Sequence, residues 1–194
     1  MKLLIINGSV RDGNASARVT KWVEAAAHRY LTDAEIEVVD LKTLALPLFT
    51  DATPPMMQEN RQPEGAVKTW LDALESADAY VFVTPEYNHG IPGSLKDAID
   101  HIDYQLTKKP FMAVSHGGVG GSRAIEQLRL VLNSNLGAVP IPDSISVFGY
   151  VGYENSIDEH GAAQTEAVKK SESALQNALE TLHWYATALK AARE

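Results

Sequence analysis

The sequence predicts a doubly wound α/β fold, and three observations carry that prediction. Short apolar runs bounded by turn residues recur at 3–6, 36–39, 79–83, 111–114 and, more weakly, 139–147, which read as five strands. Between them the apolar residues fall at helical spacing: Val19, Trp22, Val23, Ala26 and Tyr30; Val67, Trp70, Leu71 and Leu74; Leu95, Ala98, Ile99 and Ile102; Ile125, Leu128, Val131 and Leu132. The third run, AYVFV, is apolar on both faces, as suits a central parallel strand covered by helices on each side.

The elements follow in order. The first strand runs into GSVRDGNAS and a helix starting near Ala17. The second, IEVVD, has the polar breaks of an edge strand. The third and fourth each lead through a loop rich in Gly or Pro into an amphipathic helix. A last stripe, Val168, Ser171, Leu175, Leu179, Leu182, Ala186 and Leu189, marks a helix over 165–190 that closes the sheet. The expected fold is flavodoxin-like: a five-stranded parallel sheet in the order 2-1-3-4-5 with helices on both faces. With 194 residues, 45% of them hydrophobic, the chain is read as one domain over 1–194. Two long connections, 42–64 and 150–164, interrupt the rhythm; loops of that length in a compact domain commonly serve function or interfaces, and neither is assigned.

Composition excludes several functions. A net charge of −8 without a Lys/Arg block argues against nucleic acid and anionic membranes as partners. There are no cysteines, which rules out disulfides, thiolate metal sites and thiol nucleophiles and fits a reducing compartment. The N-terminal apolar run is too short for a secretion signal, and no stretch approaches the about 18 apolar residues of a membrane span, so a cytoplasmic location is expected.

In a doubly wound sheet, ligands bind beyond the carboxyl ends of the strands where strand order reverses, here the loops after strands one and three. The first loop supplies Ser9, Arg11 and Ser16 beside a helix N-terminus, which favours an anion by roughly 0.3–2 kcal/mol. A plainer reading has Ser16 capping the helix, Gly8 making the turn and Arg11 solvated. The segment Pro85, Glu86, Tyr87 and Asn88 offers backbone groups, a ring and an amide suited to reading a planar heterocycle; the plainer alternative is a rigid turn. Four glycines between Ser115 and Gly121 suit either close backbone approach or a flexible connection. Together the three loops outline a phosphate end, a ring-reading segment and a glycine wall.

The segments GSVRDGNASARVTKWV, TPEYNHGIPGSLKDAIDH and VSHGGVGGSRAIEQLR resemble the signatures of the NADPH-dependent FMN reductase family, in the expected order over 1–136. The resemblance implies FMN as a non-covalent cofactor, NADPH or NADH as hydride donor, a small-molecule acceptor such as a quinone, azo compound, metal oxyanion or free flavin, and a homodimer or homotetramer. By position it implies Ser9, Arg11, Asn14 and Ser16 at the FMN phosphate, Pro85, Glu86, Tyr87 and Asn88 along the isoalloxazine, and Ser115, His116, Gly117 and Gly118 beside its pyrimidine side.

No protein group need act as a catalytic nucleophile or metal ligand, because the cofactor carries the chemistry. His89 and His116 are candidate auxiliary proton donors or ligands of the NADPH phosphate, with loop hydrogen bonding as the plainer role. Glu86 is read as a solvated or backbone-bonded carboxylate and Arg123 as a surface ion-pair partner. Asp40 is a polar strand end, since no G-x-G-x-x-G accompanies it, and Asp97, Asp100 and His101 form a surface rather than a metal site. A flavodoxin-type electron carrier and a non-catalytic FMN-binding or regulatory module are the competing functions.

Overall fold

A computed structural model of the chain describes residues 1–13, 15–149 and 155–193. The strands are β1 (Lys2–Asn7), β2 (Glu35–Asp40), β3 (Ala79–Pro85), β4 (Pro110–Gly117), β5 (Val139–Pro140) and β6 (Ile145–Phe148). The helices are α1 (Ala15–Tyr30), α2 (Leu41–Leu44), α3 (Gly65–Ser76), α4 (Gly93–Asp100), α5 (Ser122–Ser134), α6 (Glu166–Lys169) and α7 (Glu172–Arg193). These six strands pair in parallel, in the order β2-β1-β3-β4-β5, with β6 also on β4. The expected topology is therefore present, with one strand more than the sequence suggested.

The extra strand is the weak fifth run split in two. β5 pairs Val139 with Pro110, an offset of 29 residues, and β6 pairs Ile145 with Val114, an offset of 31. Two surplus residues thus sit between the halves on the sheet edge, next to Pro140 and Pro142, neither of which has an N–H for a ladder bond. The C-terminal stripe is likewise two helices, α6 and α7, with Val168 and Leu175 buried on either side of the break. The 42–64 connection holds α2 and a 3-10 turn at Pro55–Met57, and α2 starts where Asp40 accepts a hydrogen bond from the Lys42 N–H at 2.9 Å.

The side-chain period of two sorts the core into two layers. Leu3 and Ile5 of β1, Val81 and Val83 of β3, and Met112 and Val114 of β4 pack against α1 and α7. Leu4, Ile6, Tyr80, Phe82 and Phe111 pack against α3, α4 and α5. Every residue of β3 is buried, whereas β2 is only half covered, which accounts for the contrast between AYVFV and EIEVVD.

At the far end of the sheet from its carboxyl edge, Lys109 is 8% exposed, and its Nζ donates to the Leu74 and Glu75 carbonyls at 3.2 and 2.7 Å, closing the C-terminus of α3. Burial lowers its pKa from the usual lysine value, because the charged form loses water. Lys109→Met is expected to lower stability by about 1–2 kcal/mol, the scale of charge-assisted hydrogen bonds to helix-end carbonyls, while leaving ligand binding intact. An unchanged melting temperature in that variant would remove Lys109 from the account of α3.

Candidate functional site

Three loops rise from the carboxyl edge at the point where strand order reverses between β1 and β3. The first follows β1. Gly8 is pressed onto α4: a Cβ there would lie 2.8 Å from Leu95 Cδ2 and 3.1 Å from the Val83 carbonyl, to which the Gly8 N–H donates at 2.9 Å. Ser9 is fully buried, with Oγ 3.0 Å from the Tyr87 hydroxyl. Arg11 is exposed, and its guanidinium lies 5.3 Å from the centre of the Tyr87 ring, within cation–π range. Helix α1 begins at Ala15, two residues earlier than expected, so Ser16 is inside its first turn. The Ser16 hydroxyl is fully buried and stands 2.8 Å from His116 Nε2. Asn14 lies outside the described residues.

The second loop is stiffer than its glycines suggested. Tyr87 and Gly90 exchange both backbone hydrogen bonds, at 2.9 and 3.1 Å, around a two-residue reversal whose central residues Asn88 and His89 have φ of +49° and +67°. That is the turn in which both central residues are left-handed; asparagine accepts the conformation readily, histidine at some cost in strain. The side chains of Asn88 and His89 are exposed. A Cβ on Gly90 would be 2.7 Å from Gln127 Oε1, which accepts the Ile91 N–H at 2.8 Å, so a side chain there would have to displace that amide.

Glu86 belongs to both neighbouring loops. Its N–H donates to the His116 carbonyl at 3.2 Å. Its carboxylate, 7% exposed, accepts the Arg123 N–H at 3.1 Å and the Arg123 guanidinium at 2.9 Å. The α5 N-cap is Gly121, which has no side chain to offer, so Glu86 serves as the cap from another loop and meets the positive end of the α5 dipole.

The third loop is held by Ser115, whose buried hydroxyl donates to the Gly120 carbonyl at 2.6 Å. Gly120 and Gly121 have φ of +81° and +79°. Gly117 is half-buried and Gly118 exposed; a Cβ on Gly117 would meet nothing closer than 3.9 Å. His116 is 6% exposed, and burial lowers its pKa to about 4, so the ring is neutral near pH 7.

Hydrogen bonds and ring contacts thus bring Ser9, Arg11, Ser16, Glu86, Tyr87 and His116 together, with Pro85 buried at the end of β3 and Ser115 buried beneath the glycines. Two clefts flank the first loop. One of about 450 Å³ is lined by Val10, Leu41, Leu46, Leu48 and Ser94, the other of about 890 Å³ by Gly13, Arg18, Lys21 and Lys42 among others. Asp97 accepts the Phe49 N–H and Asp100 pairs with Lys96, whereas His101, the C-cap of α4, is not at the surface as expected: it is 5% exposed, with its ring against the Pro47 carbonyl and Phe49. Among the described residues no three acidic or histidine side chains gather as a metal site.

Sequence reasoning missed the Glu86–Arg123 cap, the Gln127 contact and the Ser16–His116 bond. The pairs are 37, 36 and 100 residues apart, with no local pattern to announce them.

A parallel, doubly wound sheet with hydroxyls, a cation and backbone donors gathered at its order reversal defines a flavodoxin-like α/β protein of the mononucleotide-binding kind. Residues 1–151 match the family described as NADPH-dependent FMN reductase, and the chain belongs to that family. It is 34% identical over 166 residues to the NAD(P)H-dependent FMN reductase LOT6 of Saccharomyces cerevisiae, covering 75% of this chain and 87% of the yeast protein. It is also 34% identical over 139 residues to a quinone reductase of Escherichia coli K12, covering 68% of this chain and 69% of that one. Among solved structures, the flavoenzyme NAD(P)H:(acceptor) oxidoreductase FerB of Paracoccus denitrificans superposes with a TM-score of 0.69 over 96% of this chain and 97% of its own; at 23% identity the likeness is one of fold.

Proposed function

We propose that this chain is an NAD(P)H-dependent FMN oxidoreductase that passes hydride from NADPH or NADH through FMN to a small acceptor such as a quinone, azo compound, metal oxyanion or free flavin. The observation that carries the reading is the joining of the three loops: Ser9 to Tyr87 at 3.0 Å, Ser16 to His116 at 2.8 Å, and Glu86 N–H to the His116 carbonyl at 3.2 Å. The residues present fit FMN. Buried Asn7 Nδ2 at the rim has no hydrogen-bond partner among the described residues, and the donor set is a guanidinium, hydroxyls and the first-turn N–H groups of α1, as a phosphate requires.

When bound, FMN supplies the hydride-accepting and hydride-donating chemistry. Ser9, Arg11, Ser16 and, by its place in the sequence, Asn14 would hold its phosphate. Pro85, Glu86, Tyr87 and Asn88 would line the ring, Ser115, His116, Gly117 and Gly118 would border its pyrimidine side, and N–H groups of the 115–121 loop would ease negative charge there. No side chain is assigned as a catalytic acid, base or nucleophile. The chain is read as one domain working as a homodimer or homotetramer; exposed Leu48, Met57 and Tyr104 around α4 support a subunit contact. No helix among the described residues is long and apolar enough to cross a membrane, and the absence of cysteine supports a cytoplasmic setting.

The test is the visible spectrum of FMN-supplemented protein before and after NADPH without oxygen. Bleaching of the oxidised-flavin bands, with turnover when a quinone is added, is expected. Bands that persist would reject the reductase reading and leave a carrier or binding module. Arg11→Ala is expected to weaken FMN binding by about 2 kcal/mol, roughly thirtyfold, with little change in melting temperature, because the guanidinium is exposed and rests on the face of Tyr87. A titration giving the wild-type Kd would take Arg11 out of the site.

A further inference from the structure

The bond between Ser16 and His116 joins the proposed phosphate end to the proposed ring end through two residues 100 positions apart, one fully buried and the other 6% exposed. Burial keeps the imidazole neutral, with its pKa lowered to about 4. A neutral imidazole has one N–H and one lone pair, and a serine hydroxyl has a single proton. If the ring proton were on Nδ1, Nε2 could only accept, and Ser16 would spend its proton on the ring, leaving lone pairs toward any anion at the start of α1. If the proton is on Nε2, the ring donates to Ser16 Oγ and the serine proton is left for an anion.

We propose that His116 is a positioning residue for phosphate recognition: its Nε2–H donates to Ser16 Oγ and thereby commits the Ser16 hydroxyl to donating to the phosphate of the flavin mononucleotide. His116 acts through Ser16, and its contribution falls on the phosphate and not on the ring. The assignment rests on the flavin reading above, and it gives the buried histidine a part in choosing the phosphorylated flavin over riboflavin.

The test compares FMN with riboflavin, which shares the ring and lacks the phosphate. Dissociation constants follow from quenching of flavin fluorescence by wild-type protein, His116→Leu, His116→Gln, Ser16→Ala and the double variant carrying His116→Leu and Ser16→Ala. His116→Leu is expected to weaken FMN about tenfold and riboflavin less than about twofold, since a lost hydrogen bond to a charged group is worth about one decade or more. His116→Gln, whose amide N–H can reach the same oxygen, is expected to keep FMN within about threefold of wild type. Ser16→Ala should resemble His116→Leu, and the double variant should be no weaker than Ser16→Ala, because the two act as one unit. Equal losses of FMN and riboflavin in His116→Leu, or a glutamine variant as weak as the leucine one, would overturn the proposal. If His116→Leu melts too low to measure, Ser16→Ala and His116→Gln decide it by the same comparison. A wild-type protein that binds neither flavin would overturn the flavin reading itself, a result distinct from either of these.

Discussion

Gly121→Val is expected to destabilise the protein by about 3–5 kcal/mol and to abolish measurable flavin binding. Gly121 is the N-cap of α5 with φ of +79° and ψ of +26°, a conformation that costs an ordinary residue roughly 1–2 kcal/mol and a β-branched one more. A Cβ there would stand 2.8 Å from Ser115 Cβ, 3.0 Å from Ser115 Oγ and 3.2 Å from the His116 N–H, with backbone and a buried side chain as neighbours. Overpacking of that kind costs a further about 1–3 kcal/mol, because the interior is already at crystal-like density. The strain falls on the residues that hold the third loop: Ser115, whose hydroxyl bonds the Gly120 carbonyl, and His116, whose carbonyl receives the Glu86 N–H. A melting temperature lowered by roughly 10 °C is therefore expected together with lost FMN quenching. A variant that melts and binds flavin as wild type does would show that the loop has room to spare and that the glycine wall is a flexible connection.

The fold was largely legible because a parallel sheet writes itself into the sequence twice. Strands covered on both faces, such as AYVFV, must be apolar throughout, and the helices that cover them must carry one apolar stripe each; Trp22, Trp70, Leu95 and Leu128 all lie buried where their stripes placed them. What the pattern left out depended on shorter-range chemistry. The split between β5 and β6 turns on Pro140 and Pro142 at an edge, and α2 on a cap from Asp40 read as a strand end alone. The start of α1 at Ala15 rather than Ala17 takes Ser16 out of the capping position and turns its hydroxyl to His116.

The rim loops were legible as loops, from their glycines and prolines, but not in their internal wiring. In the second loop the left-handed residues are Asn88 and His89 and not a glycine, and a Cβ on Gly90 would displace the Gln127 amide that accepts the Ile91 N–H. Arg123 was expected as a surface ion pair and does form one, with Glu86, but the same carboxylate also caps α5. A helix that begins on a glycine must find its cap elsewhere, so the missing polar residue before SRAIEQL was a signal that a side chain from another loop would arrive.

Stability is expected to fall by about 3 kcal/mol on account of His116 as pH drops from 6.5 to 4. In the unfolded chain the imidazole titrates near 6.5; in the folded protein burial lowers its pKa to about 4. Between those values the unfolded state binds a proton that the native state refuses, so stability is fully present above pH 6.5 and declines toward pH 4, at about 1.4 kcal/mol per unit. The buried aspartate contacts act in a different window. Asp78 pairs with Lys190 and Arg193; desolvation raises its pKa, but the Lys2 N–H, Lys190 and the chain's N-terminus outweigh it and lower the pKa from 3.8, so its stabilisation is lost only as pH falls below about 4. The two contributions can be separated by urea unfolding at pH 4 to 7.5 on wild type and His116→Gln. The wild-type curve should drop steeply between 6.5 and 4, the glutamine curve should be flatter across that interval, and the two should run parallel above pH 7. Parallel curves throughout would mean that the ring is hydrated and titrates as an ordinary histidine, and the neutral imidazole on which the Ser16 hydrogen bond depends would go with it.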